Sequence, residues 1–80
     1  MASLKVHIIF PEELIKEPVI YNLAKSYNVV TNIRKANVDS KVGWVDLEID
    51  GTEEDIQKGI RYMESLGVDV EPIEGDILEG

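Results

Sequence analysis

The sequence predicts an α+β domain whose elements run β-α-β-β-α-β, a four-stranded antiparallel sheet with two helices on one face. Three observations carry this expectation. The hydrophobic period switches between two and about 3.6 residues along the chain. Proline, glycine and capping residues fall at the switches. The chain has 80 residues, 44% of them hydrophobic, which suits one two-layer core.

Each element has its own signal. Leu4, Val6, Ile8 and Phe10 alternate on one face of a first strand, and Pro11 ends it because proline cannot donate to a ladder. Glu12 to Lys16 reads as an irregular approach or a single turn. A helix follows with Pro18 at its first position, and Val19, Ile20, Leu23, Ala24 and Tyr27 form its apolar stripe. Asn28 suits a left-handed C-terminal position. In the next strand Val29, Thr31 and Ile33 share one face and Val30, Asn32 and Arg34 the other. Ala36 and Val38 then carry the apolar parity, so a bulge or bend is expected between Arg34 and Ala36.

Asp39-Ser40-Lys41 supplies a turn, and Val45, Leu47 and Ile49 point inward from a third strand closed by Asp50-Gly51. Thr52 is the expected N-cap of a second helix, with Glu53, Glu54 and Asp55 at the positive end of its dipole. Ile56, Ile60, Met63 and Leu66 make its stripe, Gly67 ends it, and Val68 to Glu71 form a last short strand before Pro72. This is the split-βαβ, ferredoxin-like order. Residues 1–74 are expected to form the domain and 75–80 an acidic, flexible tail.

Composition excludes whole classes of function. There is no cysteine, so disulfides, thiolate metal sites, iron–sulfur ligation and thiol catalysis are absent from these residues. Eight basic residues face sixteen acidic ones and the net charge is −8, which argues against nucleic acid as a partner. No apolar run approaches the roughly 20 residues of a membrane span, and Met1 to Lys5 lacks a secretory h-region. The expected location is the cytoplasm, with no membrane contact by this domain.

With both helices on one sheet face, the other is left open. It carries Lys5, His7, Ile9, Val30, Asn32, Arg34, Trp44, Asp46 and Glu48. Ile9, Val30 and Trp44 are apolar or aromatic in a place where polar residues are the rule, which points to a partner surface. Val30 and Trp44 are the expected interface residues. Trp44 suits either the cap of a pocket or packing across a dimer interface. His7 is a lone histidine with no companions that spacing would make metal ligands.

The stretch Tyr27-Asn28-Val29-Val30-Thr31-Asn32-Ile33-Arg34-Lys35-Ala36 resembles the signature of the NIL domain, a family named for an Asn-Ile-Leu tripeptide. The Pro18-Val19-Ile20 helix start, Gly43, Gly51-Thr52 and the closing Leu66-Gly67-Val68-Asp69-Val70-Glu71 are similar as well. The resemblance runs from about Leu4 to Ile73, with Arg34 standing where the tripeptide has leucine. It implies one of two settings. One is the regulatory domain of methionine-importer ABC ATPases, where two NIL domains pair and bind methionine. The other is a module ahead of iron–sulfur ferredoxin-type domains. A first strand beginning at Leu4 resembles the second setting more, although no cluster cysteine or phosphate loop is present and the chain itself is expected to hold no cofactor.

The resemblance places the motif asparagine at Asn32, with Ile33 and Arg34 beside it as the ligand-binding set. An amide offers donors and an acceptor to an amino acid's carboxylate and ammonium, and a guanidinium can grip a carboxylate with two bonds. A turn or bulge hydrogen bond for Asn32 and a surface ion pair for Arg34 are the structural alternatives. Acylphosphatases share this fold class and use an arginine in a phosphate loop with an asparagine. Here Pro11-Glu12-Glu13-Leu14 follows the first strand, with acids that repel phosphate and no glycine-rich loop, so no enzyme is expected. The implied function is a regulatory, dimerising domain that senses methionine or a related sulfur amino acid near the open face. The alternative is an interaction or dimerisation module attached to an iron–sulfur protein that binds no metabolite.

Overall fold

Apolar alternation in four segments and helical stripes in two give the architecture seen in the computed structural model, which describes residues 1–73. The strands are β1 (Ala2–Phe10), β2 (Val30–Val38), β3 (Gly43–Gly51) and β4 (Asp69–Pro72), and the helices are α1 (Val19–Tyr27) and α2 (Glu53–Leu66). The sheet is antiparallel throughout in the order β2-β3-β1-β4, so the predicted ferredoxin-like arrangement is the one found. The tail assigned to 75–80, and the domain boundary at 74, lie outside the described residues. Among the described residues no helix is long and apolar enough to cross a membrane.

Val6, Ile8, Val45, Leu47 and Ile49 from the central strands meet Val19 and Leu23 of α1 and Ile56 and Met63 of α2 in one buried cluster. The helices cross at Gly59, which is buried against Leu23, and Tyr27 and Tyr62 stack nearby with ring centroids 5.1 Å apart. Leu66, expected in the stripe, is 41% exposed. The last turn of α2 runs past the core, and Gly59, invisible to a hydrophobic pattern, holds the buried position instead.

The caps follow the sequence closely. Thr52 Oγ1 accepts the N–H of Asp55 at 3.0 Å, and Gly67 closes α2 at φ 104°. Asn28 adopts the left-handed conformation after α1 at φ 55°, where its short amide side chain is tolerated. Pro18 is the N-cap of α1 rather than its first residue, and a 3₁₀ turn at Glu12–Leu14 fills the approach. In the β2–β3 hairpin, Asp39 Oδ1 accepts the N–H groups of Lys41 and Val42, both at 2.8 Å.

Length decides what the helices leave bare. α1 has nine residues, about 13 Å, whereas β2 has nine residues and runs about 30 Å. Most of β2's inner face is therefore uncovered, and Thr31 is its one residue that is not exposed.

Candidate functional site

β2 is an edge strand, so alternate backbone N–H and C=O groups along one side have no ladder partner in the sheet. Val30, Thr31, Asn32 and Ile33 pair in register with Asp50, Ile49, Glu48 and Leu47 of β3. The register then shifts between Ile33 and Lys35, and Lys35 pairs with Asp46. Arg34 is thus the extra residue of a bulge, within a residue of the place that the parity change predicts.

The bulge fixes where the predicted ligand residues point. Ile33 shares the inner face with Leu47, while Asn32 shares the open face with Glu48. Arg34 also reaches the open face, where its Nη1 donates to Glu48 Oε1 at 2.9 Å. The trio Asn32, Ile33 and Arg34 is therefore divided between the two sides of the sheet. A single ligand meets all three only by wrapping the free edge of the strand.

Beside Ile33 lies an apolar groove of about 280 Å³ between the first turns of α1 and the second half of β2. Phe10, Ile20, Tyr21, Ile33, Ala36 and Val38 shape it. Tyr21, Ile33 and Val38 are among the exposed large apolar residues, and Val42 in the hairpin turn is another. The sequence pattern carried a signal for this groove. Tyr21 stands off the α1 stripe, and Ile33, Ala36 and Val38 keep inner-face parity on a strand that no helix fully covers.

The open face is organised around β1 and β3. His7 Nδ1 donates to Asp46 Oδ1 at 2.5 Å, and the His7 ring packs against Trp44 with centroids 5.2 Å apart. The lone histidine has two companions after all, brought by the β1–β3 register that pairs His7 with Asp46. Glu48 accepts from Ser3 Oγ at 3.1 Å as well as from Arg34. Asp50 Oδ1 is buried without a hydrogen-bond partner among the described residues.

The two expected interface residues fall apart in space. Val30 is 62% exposed and pairs with Asp50, whereas Trp44 is half-buried at the opposite end of β3. Six residue steps along the strand separate these positions, about 20 Å. They belong to the same face without forming one patch.

Fold and site together define a small ferredoxin-like domain with a bare edge at β2, an apolar groove beside it and a charged open face. The family model of the NIL domain matches residues 4–72. The chain belongs to the NIL domain family. Among solved structures it is similar to the C-terminal domain of an ABC transporter ATP-binding protein from Enterococcus faecalis. The two share 25% identity with a TM-score of 0.78, over 90% of this chain and 84% of the other. None of the curated proteins compared matches it. Within the family's tripeptide, the departure at Arg34 coincides with the bulge residue itself.

Proposed function

We propose that this domain is a non-catalytic regulatory module that pairs with a second copy and senses methionine or a related sulfur amino acid in the groove beside Ile33. The groove carries the reading. Its volume of about 280 Å³ sits at the lower end of the range for small-molecule sites, a size for an amino acid rather than a nucleotide. Phe10 and Tyr21 on its wall suit a thioether, because sulfur contacts aromatic rings favourably. The free edge of β2 offers backbone donors and acceptors to the ligand's charged head group, with Asn32 and Arg34 on the far side of the strand to assist. The same edge, with Tyr21, Ile33, Val38 and Val42 exposed around it, supplies the apolar surface for pairing. Similarity to the C-terminal domain of an ABC transporter ATP-binding protein supports attachment to such an ATPase on the cytoplasmic side.

Calorimetric titration with methionine tests the ligand, with norleucine and serine as comparisons. Saturable heat for methionine, weaker heat for norleucine and none for serine is the expected order. At a hundredfold excess over the dissociation constant, binding adds about 2.7 kcal/mol of stability, a clear rise in melting temperature. No heat and no thermal shift at millimolar methionine reject the ligand.

The exposed apolar residues around β2 also suit an interaction module that docks onto a larger protein, an iron–sulfur protein among them, without a metabolite. Sedimentation separates the parts of this question. A dimer that ignores methionine favours the second reading, and a strict monomer with and without methionine rejects pairing in both.

A further inference from the structure

We infer that Glu17 is the ammonium anchor of the groove, which makes its ligand class a short apolar chain that carries a primary amine. The place of the ligand rests on the reading above, whereas its amine rests on the groove's own chemistry. Of the side chains that line the groove, only those of Glu17 and Tyr21 carry polar atoms, and among the described residues no basic one lines it. An ammonium brought against such walls gives up water, which costs free energy unless an acceptor replaces it. Glu17 supplies a charged acceptor and the Tyr21 hydroxyl a neutral one. Among the described residues the Glu17 carboxylate and the Tyr21 hydroxyl have no hydrogen-bond or ion-pair partner.

The backbone that carries this carboxylate is fixed on both sides. The Glu17 N–H donates to the Leu14 carbonyl at 3.0 Å, its carbonyl accepts the Val19 N–H at 2.8 Å, and Pro18 restricts it further. The cations nearest in the chain are placed elsewhere. Lys16 lines a separate depression with Glu12 and Glu13, and the Lys25 Nζ lies 5.6 Å from the centre of the Tyr21 ring. The positive end of α1 opposes an ammonium at its first turn, while the chain's net charge of −8 attracts one. A single exposed carboxylate therefore gives a weak site that salt weakens further. A carboxylate, where the ligand carries one, is left to the N–H groups on the β2 edge.

Amide chemical shifts followed while methionine, methioninamide or N-acetylmethionine is added at constant ionic strength test the anchor. Methioninamide keeps the ammonium and lacks the carboxylate, and N-acetylmethionine does the reverse. Saturable shifts at Glu17, Ile20, Tyr21 and Ile33 are expected with the first two and none with the third. Glu17→Gln is expected to weaken methioninamide about fivefold or more, while Glu13→Gln, the same charge change beside the separate depression, leaves it within about twofold. Circular dichroism checks that both variants stay folded. Methionine tighter than methioninamide assigns the anchor to free amino acids, and equal affinity assigns it to amines in general. No loss in Glu17→Gln, an equal loss in both variants, or N-acetylmethionine as tight as methioninamide overturns the anchor. Methionine that binds where methioninamide does not overturns it too, and leaves the methionine reading standing. Glu17-dependent binding of methioninamide without binding of methionine rejects methionine and keeps the anchor, and no saturable shift with any of the three rejects both.

Discussion

Replacing Gly59 by alanine sets two effects of opposite sign against each other, and the structure decides between them. Alanine in a helix interior is favoured over glycine by about 1 kcal/mol. Yet a Cβ at position 59 falls 2.6 Å from Leu23 Cδ1, about 1 Å inside ordinary carbon–carbon contact. The clashing atom ends a side chain, but Leu23 is fully buried, so it has no free volume to turn into. Overpacking of this kind costs about 1–3 kcal/mol. The expected net effect of Gly59→Ala is a loss of up to about 2 kcal/mol, or roughly 4–8 °C in melting temperature per kcal/mol.

Urea denaturation measures the effect. Leu23→Ala alone should cost about 2–5 kcal/mol through the cavity it leaves. In the Gly59→Ala background the new methyl partly fills that cavity, so the Leu23→Ala cost should shrink by about 1 kcal/mol or more. If the helices part instead, α1 carries Ile20 and Tyr21 away from β2 and methionine affinity drops with stability. A variant more stable than wild type by the full propensity gain, with additive costs in the double mutant, refutes the close helix contact at Gly59.

Other perturbations separate the fold from its surfaces. Thr52→Ala removes the cap on Asp55 N–H and should cost about 1 kcal/mol in urea unfolding. Asp39 accepts the N–H groups of Lys41 and Val42, which hold its carboxyl below the ordinary value. A lowered folded value means the turn's contribution is present above the unfolded carboxylate pKa, about 3.9, and fades as pH falls through the folded one. The stability gap between wild type and Asp39→Ala should therefore be constant near neutrality and narrow below about pH 4 in urea series. Arg34→Ala breaks an ion pair whose arginine is 52% exposed, so unfolding should shift by less than about 0.5 kcal/mol. Ile33→Glu changes a residue that is 54% exposed, so circular dichroism should show an intact fold while sedimentation shows a monomer and calorimetry no methionine heat.

Most of the fold was legible because each element carried redundant local signals. Parity marked the β2 bulge, since Thr31 and Ile33 keep one phase and Ala36 and Val38 the other. The caps at Thr52, Asn28 and Gly67 were readable because each uses a residue whose side chain or backbone freedom answers a specific orphan group. What escaped were properties set by tertiary geometry. Leu66 obeys the helical period, yet nothing in a period tells where the sheet beneath the helix stops. Gly59 is silent in hydrophobicity, and its importance exists only where another helix crosses it.

The candidate site was half visible for the same reason. Placing Asn32 and Arg34 on the open face needed only alternation. That Ile33 opens into a groove needed the relative lengths of α1 and β2, which no single segment reports. The pairing of His7 with Asp46 needed the β1–β3 register, 39 positions apart in the chain.

The bulge at Arg34 also makes β2 a strand with one residue to spare. Removing a residue from a regular strand turns everything beyond the cut inside out. Excising Arg34 does the reverse. Ile33 would then be followed by Lys35, Ala36, Asn37 and Val38 in unbroken alternation, with Ala36 and Val38 still facing inward. The hairpin can lose this position by a single-codon deletion and keep the inward parity of Ile33, Ala36 and Val38, whereas loss of Asn32 turns Ile33 outward and loss of Ala36 turns Lys35 inward. Length variation in this domain has one place where the sheet absorbs it without repacking, and that place is the residue that turns the strand's chemistry toward charge.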